Sequence, residues 1–143
     1  MLKKLREWRR PPPMVAAVPD GLRVYAIGDV HGRLDLLDTL IDMIEADNQS
    51  RPVAESQVIF LGDLIDRGPD SAHVVDRALA LRRATPNTRF VKGNHEEMLL
   101  KLLGGDLANF GAYMLHGGHE TILSYGITED DVRMLDEESL ATA

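Results

Sequence analysis

The stretch Val58-Ile59-Phe60-Leu61-Gly62-Asp63-Leu64-Ile65-Asp66-Arg67-Gly68-Pro69 decides the fold. Four consecutive apolar residues stop at Gly62, Asp63 follows, and an Asp-Arg pair stands three positions on. A short β-branched and aromatic run bounded by glycine reads as a buried strand of a parallel α/β sheet. Ligands of such sheets bind where strands end and loops begin, at the carboxyl edge. Asp63 leaves the sheet at that edge, with Arg67 the only nearby group to neutralise it. The same pattern occurs twice more, where Val24-Tyr25-Ala26-Ile27 runs into Gly28-Asp29-Val30-His31-Gly32 and Arg89-Phe90-Val91 into Lys92-Gly93-Asn94-His95-Glu96. Three strands that each deliver Asp, His or Asn just past a glycine describe a metal site.

The flanks of these three blocks supply the rest of an α/β domain. Residues 22–27 form the first strand, and Leu37, Leu40, Ile41 and Ile44 recur at helical spacing over 34–47. Asp35, Asp38, Asp42 and Glu45 fall mostly on the outer, solvated side of that helix. A loop over 48–52 leads to the second strand, 57–61. Gly68-Pro69-Asp70-Ser71 turns into a helix over about 70–84, with proline near its start, Asp70 in or beside its first turn, and an apolar face of Val74, Val75, Ala78, Leu79 and Leu81. A third strand, 88–91, precedes a helix from about 95 to Gly104. The order β-α-β-α-β-α implies parallel strands joined by right-handed crossovers. Beyond 105 the pattern weakens to short helical pieces at 107–115 and 119–125, split by Gly117-Gly118, and an exposed acidic helix over 129–138.

Composition bounds the function. With 44% hydrophobic and 27% charged residues over 143 positions, the chain is a globular domain rather than a disordered one. It has no cysteine, so thiolate ligands and disulfides are excluded and any metal is held by oxygen and imidazole. That usage suits a reducing, cytoplasmic setting. No apolar run approaches the roughly 20 residues of a membrane span. The net charge of −7 conceals a basic start: residues 1–10 hold five cations against Glu7, leaving 11 basic and 22 acidic groups over 11–143. An acidic body disfavours nucleic acid, whose binding depends on neutralising phosphates, and favours divalent cations. Residues 1–21 read as a basic, proline-rich arm, in which Pro11-Pro12-Pro13 ends any helix begun by Leu2, Leu5 and Trp8.

The chemistry follows from the residue types. Asp29 and His31, two apart on an extended chain, project to the same side and grip one cation. The carboxylate of Asp63 has two oxygens and can bridge two cations, and Asn94 adds a neutral carbonyl. This donor set suits Mn²⁺, Fe or Zn²⁺. Two such ions about 3.5–4 Å apart activate a bridging water and clamp a phosphoryl group for in-line attack. Arg67 is a planar fork for phosphate oxygens. His95 is the candidate acid for the leaving oxygen, with Asp66 orienting its imidazole. Each motif alone has a plainer reading as a turn, a cap or a surface ion pair; together, at strand ends and in this order, they point to catalysis.

GDVHG at 28–32, GDLIDRG at 62–68 and GNHE at 93–96 resemble the three signature blocks of calcineurin-like metallophosphoesterases, over about residues 22–96. Within them the chain is similar to bacterial serine/threonine protein phosphatases, and Gly117-Gly118 with Thr121 to Gly126 is a fainter likeness to the same enzymes. The resemblance implies that Asp29, His31 and Asp63 hold one metal, that Asp63 and Asn94 hold the second, and that Arg67 and Asn94 bind phosphate. It makes His95 the acid and Asp66 its support. It also implies an αββα sandwich, of which residues 22–143 would be the N-terminal half. The later histidine blocks of the family fall outside this chain, and His73, His116 and His119 do not replace them. The expectation for residues 1–143 alone is therefore association through an uncovered sheet face, weak Mn²⁺ binding and little phosphatase activity, with a C-terminal half or partner chain needed to complete the domain.

The first functional expectation is a two-metal phosphomonoesterase acting on phosphoserine or phosphothreonine. The alternatives are a diadenosine tetraphosphate hydrolase of the same superfamily and a truncated, inactive metal-binding half-domain. Diadenosine tetraphosphate hydrolases often replace the residue matching Asp66 and carry Asp where Glu96 stands, so both positions favour the protein phosphatase.

Overall fold

The computed structural model describes residues 17–134. Strands β1 (Leu22–Ile27), β2 (Glu55–Phe60) and β3 (Arg89–Phe90) form one parallel sheet in the order β1-β2-β3. They alternate with α1 (Leu34–Ser50), α2 (Ser71–Ala84) and α3 (Asn94–Leu103), giving the β-α-β-α-β-α order that the sequence predicts. The register pairs Ile27 with Phe60 and Phe60 with Phe90, so all three strands end side by side and release their loops at one edge. The three glycine-bounded blocks meet there.

One face of the sheet is covered. Ile27, Val58 and Phe60 point toward α1 and α2 and form the core with Leu37, Ile41, Val74, Ala78 and Leu81. Phe60 is wholly enclosed and stacks on Phe90, with ring centroids 5.1 Å apart. Truncating such a side chain to alanine costs about 3–5 kcal/mol. Side chains alternate along a strand, so Ala26, Ile59, Leu61 and Val91 lie on the other face. There Leu61 and Val91 are 52% and 54% exposed.

Several boundaries differ from the sequence reading. α1 runs to Ser50 rather than ending before a loop at 48. Its last turn is held because Asn48 accepts from Arg23 on β1 and Ser56 on β2, so a polar residue that reads as a loop former is tied to the sheet. β2 begins at Glu55, two residues early, because it pairs with β1 from Leu22 onward. Asp38 faces Arg77 of α2 at 2.6 Å instead of being merely solvated.

After α3 the chain forms a 3-10 turn (Leu107–Asn109), α4 (Phe110–Tyr113), a widened turn (Met114–Gly118) and α5 (His119–Ser124). Gly117, at φ 99°, breaks the helix there, a conformation open to glycine at little cost. Residues 129–134 are helical, and the rest of the acidic segment predicted for 129–138 lies outside the described residues, as do positions 1–16 of the predicted arm. Among the described residues no helix is long and apolar enough to cross a membrane.

Candidate metal and phosphate site

The backbone binds the first two blocks together before any side chain contributes. The N–H groups of Val30 and His31 both donate to the carbonyl of Asp63 at 3.0 Å, Gly32 donates to Leu64, and Asp70 donates to Gly32. Gly32 and Gly68 meet so closely that a Cβ on Gly68 would lie 2.1 Å from the His31 carbonyl. The third block is joined to the second by Glu96. Its carboxylate accepts from the N–H groups of Asp63 (2.9 Å), Leu64 (2.7 Å) and Gly93 (2.8 Å). The Gly93 bond is half of a capping box at the start of α3.

Four non-glycine residues take left-handed φ here: His31 (46°), Asp63 (52°), Asp66 (71°) and Arg67 (68°). Non-glycine residues reach this region at a cost of about 1–2 kcal/mol each, and such outliers gather where surrounding bonds fix the backbone for function. His31 is therefore not on an extended chain, as its spacing from Asp29 predicts. The two side chains still converge, with the Asp29 carboxylate 3.8 Å from His31 Nε2.

His31, Asp63 and His95 each place one ligand-capable atom within 4.8 Å of the others. Asp29 stands at the rim, its side chain 66% exposed, and Asn94 is an exposed residue at the first turn of α3. Arg67 does not neutralise Asp63. Its left-handed backbone aims the guanidinium elsewhere, toward His31 Nε2 (3.0 Å) and His95 Nε2 (3.1 Å). Asp63 Oδ1 instead accepts from the backbone N–H of His95 at 3.2 Å. A guanidinium only donates, so both Nε2 atoms accept and each imidazole carries its proton on Nδ1. The other contacts agree: His31 Nδ1 donates to the Ile65 carbonyl (2.9 Å) and His95 Nδ1 to Asp66 Oδ2 (2.7 Å). Two imidazole nitrogens, both bonded to Arg67, and a carboxylate thus surround one small volume, a donor set that fits a divalent cation without thiolate when the guanidinium gives way.

The family model of calcineurin-like phosphoesterases matches residues 22–139. The chain belongs to the calcineurin-like phosphoesterase family. Its curated relatives include the symmetrical bis(5'-nucleosyl)-tetraphosphatases of Serratia proteamaculans (37% identical over 84 residues, 59% of this chain and 27% of the relative) and Hamiltonella defensa (40% over 82 residues, 57% and 26%). That of Legionella pneumophila strain Corby is 33% identical over 106 residues, covering 74% of this chain and 33% of the relative. The phosphoesterase chain thus spans about a quarter to a third of the length of these relatives. Their names correspond to the tetraphosphate hydrolase alternative rather than to the protein phosphatase placed first on the sequence.

The candidate site also contains residues that the sequence reading missed. Asp66 is fully buried, and its Oδ1 accepts from Tyr113 (2.8 Å) and Thr121 (2.7 Å) while its backbone N–H reaches Ser71 and Thr121 hydroxyls. Burial, and then the Asp66 carboxylate beside it, pushes the Tyr113 phenol well above the ordinary tyrosine range. The Gly117 carbonyl accepts from the Arg67 N–H at 2.9 Å. The faint likeness at 117–126 was the available signal for Thr121, and helical spacing back from it leads through Gly117 to Tyr113. His116 bonds the Ala112 carbonyl, His119 bonds Glu129 at 3.0 Å, and His73 bonds Asp70, so none of these enters the cluster.

Proposed function

We propose that this chain carries the metal- and phosphate-binding part of a metal-dependent phosphoester hydrolase whose substrate is a dinucleoside tetraphosphate. The observation that carries the reading is the convergence of His31, Asp63 and His95 at the sheet edge with Arg67 beside them. The tetraphosphatase names of the relatives favour the nucleotide substrate. Asp29, His31, Asp63 and Asn94 would hold two divalent ions, Mn²⁺ in first place with Fe or Zn²⁺ as alternatives. Such ions, when bound, supply an activated water and charge stabilisation at phosphorus. Arg67 and Asn94 hold the phosphoryl oxygens, and His95, held by Asp66 through Nδ1, takes up a second proton on Nε2 and delivers it from the resulting imidazolium to the leaving oxygen. One P–O bond to water forms as the P–O bond to the departing group breaks. Symmetrical cleavage of a tetraphosphate leaves two nucleoside diphosphates. The reaction is placed in the cytoplasm, in keeping with the cysteine-free composition.

A second reading, a serine/threonine protein phosphatase, is favoured by the intact Asp66–His95 hydrogen bond and by Glu96. An alkoxide leaving group needs protonation more than a nucleoside diphosphate does, and a buried Asp–His pair suits that demand. Hydrolysis of diadenosine tetraphosphate and of a phosphoserine peptide panel, both with Mn²⁺, separates the two. A clear preference for the nucleotide is expected, and preference for the peptides would restore the second reading.

A further inference from the structure

The segment 113–121 is the part of the molecule that the metal and phosphate ligands do not account for. Tyr113, Gly117 and Thr121 recur every four residues, and all three bond the Asp66-Arg67 dipeptide. Tyr113 and Thr121 donate to the same oxygen of Asp66, and among the described residues the other oxygen is left to His95 Nδ1. Gly117 receives the Arg67 N–H, and a Cβ there would meet that nitrogen at 2.5 Å and the Arg67 Cγ at 2.7 Å. Gly118 lies against the Tyr113 ring so closely that a Cβ would fall 2.2 Å from it. The broken helix at Gly117 is therefore shaped around two residues of the second block, and those residues sit in left-handed conformations that need external support.

We propose that Tyr113 and Thr121 are positioning residues for the reaction: by occupying one oxygen of Asp66 they fix its carboxylate, and through it the His95 imidazole with its proton on Nδ1 and its Nε2 facing the reacting phosphoryl group. Gly117 does the same for Arg67 through its backbone. The proposal rests on the reading of His95 as the proton donor, but its central observable is the state of the imidazole, which is present without turnover.

The test uses the full chain and nitrogen-15 NMR of the histidine rings. The wild type should show His95 protonated on Nδ1, its N–H protected from exchange and assigned by its loss in His95→Gln. Tyr113→Phe and the near-isosteric Thr121→Val should each speed exchange of that proton by about tenfold, the effect of one lost hydrogen bond on a local opening. Backbone amide exchange in β2 should stay unchanged, as a merely structural loss would not allow, and Leu107→Ala, in an apolar groove that Leu99, Leu102 and Ile127 also line, should leave the ring proton alone. An unchanged ring proton in both hydroxyl variants, or a wild-type His95 that carries no proton on Nδ1, overturns the proposal. Kinetics then tests the link to chemistry. Tyr113→Phe should lower kcat for an alkyl phosphoester about tenfold without changing KM, in the range found for outer partners of ligands, and should cost nothing further in a His95→Gln background. An equal loss in both backgrounds refutes action through His95. If the ring result holds while no phosphoester is turned over, the functional reading fails and the positioning role stands.

Discussion

Replacing Glu96 by alanine should destabilise the fold strongly for a half-exposed position. Three backbone N–H groups converge on this carboxylate at 2.7–2.9 Å, two from the loop after β2 and one from the start of α3. A hydrogen bond to a charged group contributes roughly 1.5–3 kcal/mol. The three are not additive, because water can reach the partly exposed site and replace some of them. About 3 kcal/mol is the expected loss, taking the lower end for two bonds and little for the third. Glu96→Gln keeps a single acceptor oxygen and turns an NH₂ toward a donor, so it should lose about half as much. Glu96→Asp, one methylene shorter, cannot reach both loops and should fall between. Urea unfolding followed by circular dichroism measures this, and a 3 kcal/mol loss should also lower Tm by about 10 °C in a domain of this size. Glu97, next along the helix and paired among the described residues only with the exposed Lys92 and Lys101, is the control whose Gln variant should leave the midpoint in place. A Glu96→Ala loss under about 1 kcal/mol would show that the carboxylate does not join the two loops.

Asp63→Asn should abolish hydrolysis and lower Mn²⁺ affinity, since an amide lacks the charge and the second ligand oxygen of a bridging carboxylate; metal analysis and turnover check both, and near-normal values would remove Asp63 from the site. His95→Gln should reduce turnover of alkyl phosphoesters by about 10²–10⁴-fold, the usual range for a lost general acid. It should reduce cleavage of nitrophenyl phosphate or a tetraphosphate much less, and an equal loss on all of them would mean that His95 is not the acid. His73 should titrate above its ordinary value of about 6.5, because the Asp70 carboxylate bonds its imidazolium. That raised value means the pair supports the fold fully below the unfolded value and loses its contribution as pH rises through the folded one. Proton NMR of the ring checks this, and Asp70→Asn should return the titration to the ordinary range.

The strands and the three ligand blocks were readable because each combines a buried apolar run with an abrupt glycine, a local signal that tertiary structure has little freedom to override. The paths of the individual side chains were not. His31 and Arg67 have left-handed backbones imposed by contacts with Asp63 and Gly117, and spacing rules assume an ordinary chain direction. This is why Arg67 was expected beside Asp63 and instead lies against two imidazoles. Asn48 read as a loop former because its preference is weak, while its bonds to Arg23 and Ser56 exist only once β1 and β2 have paired. The support of Asp66 by Tyr113 lies 47 positions away in the sequence, with no periodicity to connect the two.

That separation gives the site a history during synthesis. The bond from Thr121 to Asp66 closes a loop of 55 residues, whereas every residue of the three glycine-bounded blocks has been made by Glu96. A nascent chain elongates at roughly 5–20 residues per second, so the further 25 positions to Thr121 take about one to five seconds. In that interval the proposed cation ligands are already translated, but the carboxylate behind His95 has no hydroxyl partners and the Arg67 backbone has no carbonyl to receive it. The proposed cation ligands are therefore all present before the groups that hold Asp66 and Arg67 in place exist.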